Sequence, residues 1–156
     1  MDTISHALWG KGLFGYRKYR WLSILFGIVP DILSFGVYFL FNLLTSPTTI
    51  KLGKPELSEL PQWVFSLYDF SHSLVTATVF ILIVYIINKD FCFPMLAWPF
   101  HILLDFFTHS AQFFPTPILW PLSDYRFDGI PWSNPYIMIT NTICIFLIFI
   151  YRRKKT

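Results

Sequence analysis

His101, Asp105 and His109 recur at four-residue intervals in a segment, HILLDFFTHS, that is otherwise mostly Leu, Ile and Phe. Residues four apart on an α-helix lie one above another on the same face. The spacing therefore predicts an imidazole, a carboxylate and a second imidazole on one stripe of an apolar helix. Neutral imidazole nitrogen and carboxylate oxygen together suit a divalent ion, zinc or manganese. Three more residues of the same chemistry sit in other apolar surroundings: His6, Asp31 directly after Pro30, and His72. With these six as candidate ligands, two clusters of three can hold one or two ions, with zinc the expected metal.

Two further residues are candidates for chemistry beside a metal. Asp69 precedes His72 by three positions, so it shares a helix face with it. It is expected to act as a general base, as a ligand, or as a group that orients a ligand. Arg126 lies in a Pro-rich stretch after His109 and could clamp a phosphate or carboxylate through two parallel hydrogen bonds; the bland alternative is a structural pair with Asp124 or Asp128. The chain holds no Gly-rich phosphate loop, no G-x-S-x-G, no nicotinamide-binding fingerprint and no C-x-x-C pair. Cys92 and Cys144 are read as packing residues.

The elements that must position these groups are membrane helices. Hydrophobic residues make up 54% of the 156 and charged residues only 13%, at a mean hydropathy of +0.53. That balance excludes an ordinary soluble domain. The aromatic content, 21%, suits lipid contact and interfacial belts. A net charge of +3 resides largely in Arg17, Lys18 and Arg20 and in Arg152 to Lys155, which read as topology signals and not as a nucleic-acid surface.

Four apolar runs, 21–44, 63–88, 91–114 and 132–151, each approach the ~20 residues that a spanning helix needs. Helices are expected because backbone groups in lipid must be satisfied internally. Residues 2–15 are too short to span and predict a re-entrant or interfacial helix. The expected architecture is thus all-α: one integral membrane domain over 1–156, with four transmembrane helices and a short N-terminal helix. Met1-Asp2 lacks the basic start of a cleavable signal. The basic clusters put both termini, with Lys89, on the cytoplasmic side, and the loops 45–62 and 115–131 outside.

At about 1.5 Å per residue, Asp31, His72 and His101 each come out roughly 14–16 Å from one end of their runs, near the bilayer midplane. Counting back from the basic turn places His6 at similar depth, beside Asp31. An ionisable group at that depth costs a few kcal/mol and normally faces a partner or a cavity. All four histidines fall in this layer and none in a loop. Each of three, His6, His72 and His109, also follows a hydroxyl residue (Ser5, Ser71, Thr108) and precedes a small one. A hydroxyl there can hydrogen-bond a neighbouring carboxylate or carbonyl and support a ligand.

Taken together, Ser5-His6-Ala7-Leu8, Val29-Pro30-Asp31, Ser71-His72-Ser73-Leu74, His101-Ile102-Leu103-Leu104-Asp105, Leu119-Trp120-Pro121 and Arg126-Phe127 make the chain resemble the YdjM-like, LexA-regulated, membrane-bound metal-dependent hydrolases, in a short four-span form. The resemblance implies a bacterial inner-membrane protein and a metal-dependent hydrolase. Two departures stand out: Leu33 replaces a second Asp after Pro-Asp, and Leu67-Tyr68-Asp69-Phe70 replaces a His-Arg-Gly pattern. The expected function is hydrolysis of a phosphoester or lipid-linked substrate by a membrane-embedded metal site. The rival expectations are a divalent-cation or proton transporter, and a non-catalytic membrane protein with a structural metal.

Overall fold

The computed structural model describes residues 1–46 and 55–154, so parts of the expected outer loop 45–62 and of the basic cluster 152–155 lie outside the described residues. Every regular element among the described residues is helical. Helix α1 (Thr3–Phe14) starts at Asp2, whose carboxylate accepts from the Ser5 amide at 2.8 Å and the Ser5 hydroxyl at 2.6 Å. Helix α2 (Leu22–Asp31) contains Pro30, passes through one widened π-turn (Ile32–Gly36), and continues as α3 (Val37–Thr45). The π-turn begins directly after Asp31; the Pro30 carbonyl accepts from Ser34 at 3.0 Å and from Ser71 at 3.1 Å.

The second apolar run is not one helix. It forms α4 (Gln62–Ser71) and α5 (Leu74–Ile87), bent by 55° at His72-Ser73. The break holds because other groups satisfy the freed backbone. The Ser73 hydroxyl caps α5 and donates to the Trp120 carbonyl, Leu74 N–H donates to Ile118 O at 2.9 Å, and Trp98 Nε1–H donates to Ser71 O at 2.8 Å. Helices α6 (Lys89–Met95) and α7 (Ala97–Thr108) make up the third run. That run does not stay helical to Phe114. The end of α7 is held by a neighbouring segment: the amides of Gly129, Ile130 and Trp132 donate to the carbonyls of His109, Phe107 and Thr108 at 2.8, 3.1 and 2.9 Å. Helix α8 (Pro135–Arg153) begins at Asn134, which accepts from the Tyr136 amide.

Among the described residues, three helical stretches, Leu22–Thr45, Lys89–Thr108 and Pro135–Arg153, are long and apolar enough to cross a membrane; α4 and α5 meet the same test only as one bent unit. The distribution of side chains is the reverse of a soluble domain's. Ile86 and Ile87 of α5 are 85% and 81% exposed and Phe146 of α8 is 65% exposed, whereas His6, His72, His101, Asp105, Ser23 and Thr116 are fully buried. Apolar flanks around a polar interior match a lipid environment.

Helix α1 sits in the middle of this bundle, against α2, α7 and α8. Two glycines let it approach α2 closely. A Cβ on Gly10 would lie 2.2 Å from Ser23 O, and one on Gly27 would lie 2.6 Å from His6 O. Small residues facing a partner backbone in this way bring helices together where apolar burial cannot. On the other side, Trp9 Nε1–H donates to Asn141 at 2.7 Å and Asn141 donates to Ser5 at 2.8 Å, tying α1 to α8.

Candidate metal centre

Four side chains from three separate parts of the chain meet inside the bundle: Asp31 at the end of α2, His72 at the α4–α5 break, and His101 and Asp105 on α7. One ligand atom from each lies within 4.8 Å of all the others. The π-turn after Asp31 and the break at His72 are thus the two departures from regular helix that adjoin the site.

The histidine ring orientations follow from what each Nδ1 touches. His101 Nδ1 lies 2.7 Å from Gly27 O. A carbonyl only accepts, so Nδ1 carries the proton and Nε2 is left with a lone pair. His72 Nδ1 lies 3.2 Å from Tyr68 O and 2.9 Å from the Ser71 hydroxyl, which is itself placed to donate to Pro30 O. His109 Nδ1 lies 2.8 Å from Phe114 O. All three rings therefore turn a bare Nε2 inward, toward carboxylates.

Such a set is held together by a proton shared between the two rings or by a cation between them. Nε2 of His72 and Nε2 of His101 are 3.2 Å apart. His101 Nε2 is 3.2 Å from Asp105 Oδ2 and 3.7 Å from Asp31 Oδ1; His72 Nε2 is 3.6 and 3.7 Å from the same two oxygens. A tetrahedral ion with bonds of about 2.0–2.1 Å spaces its ligand atoms about 3.3–3.4 Å apart. The five separations bracket that spacing. Asp105 Oδ2 is buried with no hydrogen-bond donor, as expected of an oxygen reserved for an ion. Two imidazoles and two carboxylates in this arrangement could hold a divalent metal.

The other two candidate ligands lie on the far side of Asp105. His6 Nε2 is 2.9 Å from Asp105 Oδ1, and its ring stacks on His101 with centroids 3.5 Å apart. His109 is the first residue beyond α7, with an extended backbone, so it does not continue the helical stripe. Its Nε2 still comes within 3.6 Å of Asp105 Oδ1 because the Phe114 carbonyl turns the ring inward. The Met1 amine also pairs with Asp105 Oδ1 and lies 3.0 Å from His109 Nε2. Burial pushes the His6 imidazole down to about 3 and that of His109 down to about 4, against the opposing pull of Asp105.

Asp69 and Arg126 pair with each other. Arg126 donates to both Asp69 oxygens, at 2.8 and 2.9 Å, and to Pro115 O at 2.9 Å. The alternative pairing of Arg126 with Asp124 or Asp128 is not seen; Asp128 instead accepts from the Ala111 amide at 2.7 Å. Asp69 is not one of the four clustered residues.

Several supporting residues escape sequence reasoning. Thr3 donates to Asp31 Oδ2 at 2.5 Å, and Tyr68 stacks on His72 and places its hydroxyl 3.0 Å from His109 Nδ1. The hydroxyl-before-histidine pattern signals only one of its three members: Ser71 contacts the His72 ring, whereas Ser5 serves Asp2 and Asn141, and Thr108 bonds Leu104 O. No family model matches the chain, and no curated protein or solved structure matches it.

Proposed function

We propose that this chain is a membrane-embedded, metal-dependent hydrolase with zinc held by Asp31, His72, His101 and Asp105. The observation that supports the reading most is the pair of bare Nε2 atoms of His72 and His101, 3.2 Å apart and facing two carboxylates. Two lone pairs and two negative charges packed this closely in a buried site would be stabilised by a divalent ion between them. The sequence resemblance to the YdjM-like hydrolases points to the same chemistry.

In this reading the chain crosses a bacterial inner membrane four times, with α4–α5 as one broken span, α1 re-entrant and both termini cytoplasmic. The burial of His6 within the bundle favours a re-entrant α1 over one lying on the surface. A divalent ion at the site would supply an activated water at neutral pH and polarise the bond to be cleaved. The protein's own part is to hold the ligands, to fix their tautomers through Gly27, Tyr68 and Phe114, and to present Arg126 to negative charge on the substrate. Asp69 positions that guanidinium through its two hydrogen bonds. A phosphoester, lipid-linked or free, is the substrate class that suits a metal together with an Arg whose partner Asp69 precedes the candidate ligand His72 by three residues.

A transporter reading would need polar access from both sides. Aromatic contacts instead pack α1 and α2 against α6 and α7: Phe14 on Phe93 and Phe100, and Phe26 on Phe91. The test is to measure bound metal and phosphoester hydrolysis for the purified protein and for Asp105→Asn and His101→Gln. The expected result is one or more equivalents of metal and metal-dependent turnover in the parent, with both lost in the variants. Hydrolysis that survives in metal-depleted variants would remove the proposal.

A further inference from the structure

Each acid of the cluster has one oxygen tied to α1 and the other turned to the two imidazoles. Thr3 Oγ1 donates to Asp31 Oδ2 at 2.5 Å, and His6 Nε2 lies 2.9 Å from Asp105 Oδ1. Asp31 Oδ1 is 3.7 Å from Nε2 of both His72 and His101, and Asp105 Oδ2 is 3.6 and 3.2 Å from the same two atoms. From this division we propose that Thr3 and His6 are positioning residues. They restrict Asp31 and Asp105 to one metal-facing oxygen each, which keeps coordination positions on the ion open to water or substrate. The role rests on the reading of Asp31, His72, His101 and Asp105 as metal ligands, and His6 acts in it as a donor to a ligand.

The fold fixes both contacts through one helix. Thr3 and His6 are three residues apart in α1, so they share a face. Gly10 and Gly27 set the depth of that face, because a Cβ on either would meet the backbone across the α1–α2 contact. The His6 ring is also held in plane by stacking on His101, with centroids 3.5 Å apart. A carboxylate only accepts, so His6 Nε2 carries the proton of its contact with Asp105. Its Nδ1 is buried without a hydrogen-bond partner, so no competing bond turns the ring away. The Met1 amine reaches the same Asp105 oxygen, whereas Asp105 Oδ2 is buried and receives no hydrogen bond.

The consequence is a choice of coordination number. A carboxylate can bind an ion through one oxygen or through both. If both acids used both oxygens, they and the two imidazoles would fill an octahedral shell with protein atoms. One oxygen from each acid gives the low coordination number that zinc prefers, with room to expand when water or substrate arrives. The same restriction disfavours calcium, which needs many oxygens. Groups that bind the outer oxygen of a ligating carboxylate orient it in this way without touching the ion.

Cobalt(II) titration of the chelator-stripped protein in detergent tests this. Visible absorption is the readout, because it is strong for cobalt of low coordination number and several-fold weaker once six ligands surround the ion. The parent is expected to bind cobalt with strong absorption. Thr3→Val and His6→Phe should each raise the Kd for cobalt about 10–100-fold and weaken the absorption per bound ion. Thr3→Ser and His6→Gln keep an O–H and an N–H donor and should restore both. Thr3 is exposed, so its two variants leave the buried packing alone and carry the test if His6→Phe misfolds. Parent-like affinity and absorption in Thr3→Val, or equal losses in Thr3→Ser, overturns the positioning role; His6→Gln failing as badly as His6→Phe overturns it for His6. Failure of the underlying reading looks different, and the role falls with it: His101→Gln would then bind cobalt like the parent.

Discussion

Nδ1 of His101 lies 2.7 Å from the carbonyl oxygen of Gly27, and that single contact leaves the opposite nitrogen facing the Asp31–His72–Asp105 cluster that could hold a metal. The same glycine admits α1, because its missing side chain leaves room for His6 O. Gly27 thus orients one histidine of the cluster and seats the helix that carries His6 against Asp105. A Gly27→Ala variant forces a Cβ to within 2.6 Å of a backbone oxygen that cannot give way cheaply. The expected loss is about 1–3 kcal/mol of stability from overpacking. Metal affinity should drop about 10–100-fold, as when a group that orients a ligand is disturbed. Thermal unfolding in detergent and competition with a metal indicator check the two effects.

Metal removal should destabilise the protein outright. An ion present at a thousand times its dissociation constant adds about 4 kcal/mol to the folded state. Chelator treatment is therefore expected to lower the unfolding temperature, and restored zinc to raise it again. His101→Gln should unfold near the temperature of the stripped parent and show no response to zinc. Equal zinc responses in parent and variant would separate His101 from metal binding.

Arg126 and Asp69 offer a test that leaves the metal alone. Both are partly exposed, so breaking their pair should change stability by less than about 1 kcal/mol. Arg126 Nη2 donates to both Asp69 oxygens while Nη1 donates to Pro115 O, an arrangement over two nitrogens that lysine cannot reproduce. Arg126→Lys and Asp69→Asn are each expected to keep full metal content and lower kcat/KM for an anionic phosphoester about 10–100-fold, the value of a charge-assisted hydrogen bond of about 1.5–3 kcal/mol. A neutral ester should show a smaller loss. Identical losses on both substrates would exclude charge recognition by Arg126.

Acid should weaken the metal-free protein through His109. Its imidazole is held down to about 4 by burial, opposed by Asp105 and aided by the neighbouring Met1 amine; in the unfolded chain the ordinary value is about 6.5. Between those values the unfolded state carries the extra proton, so stability rises with pH across the window and is lost as pH falls from about 6.5 toward 4. Tyr68 and Phe114 O are the other groups facing the ring. Denaturation of the stripped protein at several pH values should show this slope, and His109→Gln should flatten it. An unchanged slope in that variant would assign the acid sensitivity elsewhere.

The amino-acid order alone specified the class of molecule. Long apolar runs can satisfy their backbones in lipid only as helices, and histidines and aspartates recurring within those runs require partners at the same level. Local spacing also put His101 and Asp105 on one face of α7, since four residues make about one turn. What it could not supply were events fixed by distant segments. The break at His72 depends on Trp98, Ile118 and Trp120, which satisfy backbone groups that a continuous helix would have used. The end of α7 depends on Gly129, Ile130 and Trp132. The histidine tautomers depend on the carbonyls of Gly27 and Phe114, and the partner of Arg126 is an aspartate 57 residues away. Helix periodicity is a property of neighbours and can be read along the chain. Which lone pairs face one another is a property of packing, and only the assembled bundle brings Asp31, His72, His101 and Asp105 within reach of a single ion.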